Sequence, residues 1–333
     1  MYVNKKIIMV SLLSSQSSLQ ASRVRDNCYH FFNLSTLETR ISHHLMGDLP
    51  LLIHEPDTAH RLWRRARDVF RRVIFLQRSE RLMEIAKRQI LVNDETGSSF
   101  PNGQIWWAKS LTRAKGRMQR HWYADEGGIY LCIAIYPSLF QEDVHFYNIA
   151  TGLSICQILR EWGVDAHIRW LNDVLIEGKK VAGVLAETIV TPRLNEHYLL
   201  TGIGINVNQN AFPTEITQHS TSLLIETGRK WPIMELGTHI ISRIALNFAL
   251  LHEWQATSLS ESYSTRPNPV IMAYKGLSNL IGRRIRFGTD LEKERGTAAT
   301  VLDILPDGSL ELLLADGTEA IINTGEIRYD TGS

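Results

Sequence analysis

The chain is poor in cysteine: Cys28, Cys132 and Cys156 are its only three, and none of them forms a CxxC pair. Cys132 and Cys156 sit inside apolar runs, where a thiol behaves as a small hydrophobe, so the expected setting is a reducing cytoplasm. Charge of either sign in excess is also missing. Lys and Arg number 36 against 35 Asp and Glu, a formal charge of +1. No global field draws the molecule to nucleic acid or to an anionic membrane, any basic site must be local, and specific DNA binding is not expected. No apolar run approaches the roughly 20 residues of a membrane-spanning helix. No repeat of roughly 20 to 50 residues is present, which sets aside solenoids and propellers.

What is present is the composition of a soluble globular protein, 44% apolar and 21% charged. At 333 residues the chain passes the size at which single cores stop growing, so a main domain with a smaller attachment is expected. Residues 1 to 25 carry Lys5, Lys6 and the short run IIMVSLL, a weak resemblance to a targeting segment, but the run is short for one and an extended or disordered N-terminus is the favoured reading. LPLLIH (49 to 54) reads as a strand and HRLWRRARDVFRR (60 to 72) as a solvated helix. Ser79 is a candidate cap for a helix through ERLMEIAKRQ that turns Leu82, Met83 and Ile85 to the core. IYLCIAIY (129 to 136) has the pattern of a central strand, and NIATGLSICQILREWG (148 to 163) that of a helix ended by Gly163. A second long helix spans 236 to 254. From about 277 the texture changes to short β segments separated by PDG and ADG turns, a small all-β barrel.

Two constellations carry chemistry. HIRWLNDVLIEGKKVAGVLAE (167 to 187) divides into strands HIRWL, VLI and KVAGVLAE with a Glu177-Gly178 turn, followed by the glycine-bearing strand YLLTGIGINVN (198 to 208). Strict alternation puts Lys180, Ala182, Val184 and Ala186 on one face and Val181, Gly183, Leu185 and Glu187 on the other. A lysine over small residues can meet a phosphate or carboxylate. Spacing alone favours the plainer reading, a lysine decorating a hairpin, and Asn172-Asp173 serves equally well as a turn. The second constellation, SLTRAKGRMQRHW (110 to 122), sets Lys115, Arg117 and Arg120 among Gly116 and small residues. This suits a loop folded over a polyanion, and equally a basic surface loop. Downstream, Tyr130 is either pocket wall or core.

In this order the pieces resemble the biotin protein ligase family, of the biotin/lipoate ligase superfamily, over roughly residues 70 to 330. RWLNDVLIEGKKVAGVLAE is similar to the family's Lys/Arg-Trp-Pro-Asn-Asp segment and the Lys-x-x-Gly-x-Leu-x-Glu strand after it. GIGINVN matches its GxGIN strand, and AKGRMQRHW looks like a degraded GRGRxGRxW. The resemblance implies an α/β (α+β) fold. A class II synthetase-like ligase domain with a mixed β-sheet flanked by helices would span 46–275, and a C-terminal SH3-like β-barrel 276–333. Residues 1–45 remain an extension of unknown structure, too short and too poorly patterned for a helix-turn-helix repressor domain.

It further implies an enzyme that joins biotin to ATP, with Mg²⁺, as biotinoyl-5′-AMP and hands biotin to a lysine of a carboxyl carrier domain of an acyl-CoA carboxylase. Homodimerisation is left open. By position, Lys180, Arg117 and Asp173 are implied as catalytic. Lys115, Gly116, Arg120, Trp122, Tyr130, Asn172, Gly183, Leu185, Gly202 and Asn206 are implied around the ligands, and no metal ligand is assigned. The chain departs from the family where the biotin ureido ring is held: Arg78-Ser79-Glu80 replaces Ser-Thr-Asn, and Leu111 followed by Thr112 replaces Gln. Ser79 and Thr112 are the substitutes within reach by sequence. Ala114, Gln119 and Leu171 replace two loop glycines and the proline. A superfamily enzyme for another acid, lipoate or octanoate, and a binding relative without turnover therefore stay open.

Overall fold

Alternation along each strand decides which layer a side chain serves, and the main sheet uses both of its faces. The computed structural model describes residues 56–70, 72–258 and 267–330. The readings of residues 1–45 and of LPLLIH as a strand lie outside the described residues.

The first sheet has seven strands in the order β1-β2-β3-β7-β6-β5-β4: β1 (Arg72–Ser79), β2 (Gln104–Leu111), β3 (Ile129–Ile135), β7 (His197–Ile205), β6 (Lys179–Val190), β5 (Asp173–Ile176) and β4 (Ala166–Arg169). The β1–β2 pair is parallel and every other pair antiparallel, so the sheet is mixed as expected. β3 is buried at every position, which its unbroken apolar run requires of a strand covered on both faces. On one face Ile105, Trp107, Leu131, Ile133 and Ile203 join the large core built with α1 (Pro56–Val69), α3 (His145–Glu161) and α5 (Ile233–Ser258). On the other, Trp106, Ala108, Cys132, Ala134 and Leu200 pack under α2 (Leu82–Glu95).

Several sequence expectations need correction. Ser79 does not cap α2. It is the last residue of β1, paired with Leu111, and Arg81 precedes the helix without a side-chain cap. Strand β1 has no period-2 signal strong enough to read, because Gln77 and Arg78 break its apolar run. Helix α1 is not merely solvated: Leu62, Ala66 and Val69 are buried in the main core, while Arg61 and Arg65 reach Glu253 of α5. α3 begins at His145, ahead of the expected residue 148, and Gly163 beyond its end has φ +83° as a C-terminal glycine should.

The face assignment along β6 holds for Ala182, Gly183, Val184, Leu185 and Ala186 but fails at its start, for Lys180 and Val181. The β5–β6 register shifts between Val174 and Leu175, pairing Val174 with Ala182 but Leu175 with Lys180. This bulge turns both Val181 and Ala182 into the main core and flips Lys180 to the opposite face, where it stands over Gly183.

After α4 (Leu223–Thr227), α5 and α6 (Pro269–Ser278), the chain closes with a five-stranded antiparallel sheet in the order β11-β10-β9-β8-β12. These are β8 (Arg284–Gly288), β9 (Thr297–Ile304), β10 (Leu310–Leu314), β11 (Glu319–Ile322) and β12 (Glu326–Tyr329). The single expected segment EAIINTGEIRY divides in two at Gly325, whose φ of +119° bends the chain. Ile285, Ile304 and Leu310 of this sheet are buried in the same cluster as α3 and α5, and Trp170 Nε1 donates to Gly308 O at 2.9 Å. The C-terminal sheet is thus docked on the end of the main sheet.

Candidate active site

Three adjacent strands present a patch almost without side chains on the α2 face. Cross-strand register aligns Tyr130, Gly204 and Gly183 in one row, and Cys132, Gly202 and Leu185 in the next. Each of the three glycines is overlain by a side chain from another element. A Cβ on Gly183 would meet Lys180 Cε at 2.7 Å, one on Gly204 the Trp122 indole at 2.6 Å, and one on Gly202 Met83 Sδ at 2.9 Å. These glycines admit close approach of a group lying flat on the sheet.

Lys180 reaches this floor from the bulge. The Glu177-Gly178 turn, with φ of +48° and +74°, reverses the chain as a two-residue hairpin, and the Lys180 backbone is pinned by His219 O at 2.8 Å and Thr221 N at 3.0 Å. Its Nζ lies 2.6 Å from Asp173 Oδ1 and 5.3 Å from the Trp122 ring centroid. Asp173 Oδ2 in turn accepts from Arg169 Nη2 at 2.7 Å. Burial works to raise the Asp173 pKa, but Lys180 and Arg169 together outweigh it and hold the carboxyl below its ordinary range. The site is therefore a carboxylate between two cations, one of which hangs over a glycine floor and against an indole face. The Asp173 and Lys180 side chains are each less than one-third exposed, at 21% and 28%.

The remaining expected residues divide. Trp122 belongs to the site, with its Nε1 shut off from solvent and without an acceptor. Tyr130 is a buried wall against Trp122, Ala114 and Ala124. Its hydroxyl donates to Asp125 O and accepts from Gln209 Nε2, each at 2.7 Å, and burial pushes its pKa up. Leu185 and Gly202 line the path toward α2 with Met83. Asn172 is spent on structure. Its Nδ2 donates to Asn148 Oδ1 at 2.8 Å and Val184 O at 2.9 Å, locking the β4–β5 connection to α3 and β6. Asn206 is buried, and its Nδ2 donates to Thr221 O at 3.0 Å, in the segment that pins Lys180. Ser79 and Thr112 are neighbours at the ends of β1 and β2, where Thr112 N donates to Ser79 O at 2.9 Å.

The basic loop is less unified. Its backbone closes as a small hairpin, Gly116 N donating to Arg120 O and Trp122 N to Ala114 O. Gln119, in place of a family glycine, still takes a left-handed φ of +60°. Lys115 is exposed and donates to Gln119 Oε1 at 2.7 Å, while Arg117 and Arg120 are engaged by the C-terminal sheet and make no contact with Lys180. Sequence reasoning missed Arg169, Met83 and the carboxylates of that sheet. Arg169 adjoins Trp170 in the motif and could have been flagged; the others are distant in sequence and carry no local signal.

Among the described residues no group of three His, Cys, Asp or Glu side chains could hold a metal ion, and Asp173 is already committed to two cations.

A sequence profile of the Biotin/lipoate A/B protein ligase family matches residues 86–206, the stretch from α2 through β7 that builds the floor and carries Lys180. The bifunctional ligase/repressor BirA of Bacillus subtilis is 31% identical over 161 residues, 47% of this chain and 49% of that protein. The chain thus spans about half the length of this relative. A biotin–[acetyl-CoA-carboxylase] ligase of Mycobacterium tuberculosis is 26% identical over 233 residues, 68% of this chain and 79% of its own. A biotin protein ligase from Aquifex aeolicus, solved in complex with biotin and ATP, superposes with a TM-score of 0.62 at 25% identity, covering 78% of this chain and 100% of that one. The stretch from residue 86 to 206, which holds the motif strands and the glycine floor, is thus similar to the biotin/lipoate A/B protein ligase family, and the overall architecture is similar to that of the Aquifex ligase.

Proposed function

We propose that the protein is a biotin–[biotin carboxyl-carrier protein] ligase, which activates biotin with MgATP to biotinoyl-5′-AMP and transfers it to a carrier-domain lysine. The observation that carries this reading is the Lys180–Asp173 pair poised over the Gly183–Gly204 floor beside Trp122. In the first step a carboxylate oxygen of biotin attacks the α-phosphorus of ATP, the new O–P bond forms and pyrophosphate leaves. Two anions must approach each other, so an ammonium at that point lowers the barrier. Lys180 supplies it, and Asp173, anchored by Arg169, fixes where it points. In the second step the carrier lysine's amine attacks the acyl carbon and AMP leaves.

Lys115 and Arg117 are the loop cations with donors to spare for the phosphates. The carrier is a biotin carboxyl carrier domain of an acyl-CoA carboxylase, docked transiently. The acid lies along β6 from Lys180 past Leu185, with Met83 and Trp122 as its cover. A longer apolar acid, lipoate or octanoate, is the second reading, favoured by the apolar lining of Met83, Leu185 and Leu111 where ureido partners would stand.

Pyrophosphate release with MgATP and biotin, lipoate, octanoate or no acid tests the proposal. Release with biotin is the expected result. Release with lipoate or octanoate alone selects the second reading, and release with none of them makes the protein a binding relative.

A further inference from the structure

The tip of the basic loop faces away from the glycine floor and into the C-terminal sheet. All three guanidinium nitrogens of Arg120 face carboxylates there: Nε is 3.1 Å from Glu292, Nη1 is 2.6 Å from Glu326 Oε1, and Nη2 bonds Asp290 and, at 3.0 Å, Glu326 Oε2. Glu326 Oε2 also accepts from Leu291 N at 3.1 Å, so its carboxylate is held from a second side. The residue before it, Gly325, accepts from Arg117 Nη1 at 2.9 Å. Asp290 and Glu326 are mostly buried, at 14% and 16% exposure. A bidentate, partly buried pair of this kind is held in one geometry, unlike a single exposed ion pair. The same loop ends two residues later in Trp122, which lies on Gly204 and beside Lys180.

We propose that Arg120 is an inter-domain anchor and not a phosphate ligand, and that Asp290, Glu292 and Glu326 are positioning residues that set the nucleotide loop, and Trp122 with it, from the C-terminal sheet. The proposal rests on the reading of the site as ATP-using. Withdrawing Arg120 to reach a phosphate would strip Glu326 of its guanidinium contacts and leave Asp290 with Lys293, at 3.1 Å, which opposes its use as a mobile ligand. Used as an anchor, it makes the second sheet part of the nucleotide site without contact between them.

The test uses the full chain with Arg120→Gln, Glu326→Gln, the double variant, and Lys179→Ala as a control. Amide hydrogen exchange over residues 112–122 is measured without ligand, and MgATP binding is titrated directly. Anchoring predicts faster loop exchange in both single variants, no further gain in the double, and ATP affinity weakened by about ten- to a hundredfold in each. Unchanged loop exchange in Glu326→Gln overturns the proposal. So does opposite behaviour in binding, with Arg120→Gln weakened while Glu326→Gln, its arginine released, binds as tightly as the wild type or more so. If the wild type binds no ATP, the ligase reading fails, and the exchange data alone decide whether Arg120 anchors the loop. Should Glu326→Gln not fold, Asp290→Asn takes its place in both measurements.

Discussion

Lys180 meets Asp173 at 2.6 Å only because a bulge at Val181 turns it off the core face of β6 and onto the face of Gly183. A regular strand would bury its ammonium under α3 and α5.

That geometry makes Lys180 separable from its neighbour. Lys180→Ala removes a charge-assisted contact that strengthens as charge builds on phosphorus, and the adenylation rate is expected to fall by about a hundred- to a thousandfold. Stability should change by no more than about 1 kcal/mol, since the pair is partly exposed and Asp173 keeps Arg169. Lys179→Ala should alter neither property. Single-turnover formation of the acyl adenylate, with thermal melts of both variants, checks this; equal rates would reduce Lys180 to surface decoration.

Asn172 should behave as a structural residue despite its place in the motif. Asn172→Ala leaves Val184 O and Asn148 without their donor, at a cost of about 1 to 3 kcal/mol. Urea unfolding should show that loss while the KM for ATP of the folded fraction stays close to the wild-type value. A large rise in KM with unchanged stability would return Asn172 to the ligand site.

The glycine floor can be probed by adding one methyl group. Gly204→Ala drives a Cβ to within 2.6 Å of the Trp122 ring, and overpacking of this kind costs about 1 to 3 kcal/mol unless the indole moves. Gly276→Ala on α6 meets nothing within 4 Å, and should be neutral or stabilising by up to about 1 kcal/mol through helix propensity. Comparing the two melting curves, with tryptophan fluorescence reporting on Trp122, separates close approach from general intolerance of glycine replacement.

Acid should destabilise the fold before its carboxylates titrate. His252 contacts Tyr147 Oη at 2.6 Å and Ser138 Oγ at 3.0 Å, and burial, with a smaller contribution from Arg65, lowers its pKa from the usual 6.5 to about 4. The depressed folded value means that the unfolded chain takes up the proton first. Stability is therefore complete above about pH 6.5 and declines as pH falls toward 4, by about 2 kcal/mol between pH 7 and pH 5. Asp173, also depressed, adds its own loss only below about pH 4. Urea midpoints at pH 7 and 5 measure the slope, and His252→Gln should flatten it.

The strands β3 to β7, helices α3 and α5 and the β-rich C-terminus are legible from periodicity, because each buries a face continuous enough to leave a pattern. The motif RWLNDVLIEGKKVAGVLAE is legible as a hairpin with a polar insert, and its likeness to a known family singles out Lys180 and Asp173. β1 escapes because its apolar run is broken by Gln77 and Arg78, and the start of α2 because Arg81 stands there without a side-chain cap.

By itself, then, the sequence determines most of the elements and their order, which depend on neighbours within a few residues, while Lys180 stands out only through the likeness to a family. Tertiary structure decides which way Lys180 points, since one register shift against β5 moves it off the face it would share with Ala182. It also decides that Asn172 braces α3, that Met83 and Trp122 cover glycines on β7, and that Arg120 turns to carboxylates 170 and 206 residues away. Those outcomes rest on contacts between segments distant along the chain, whose pairing energy has no trace in local composition.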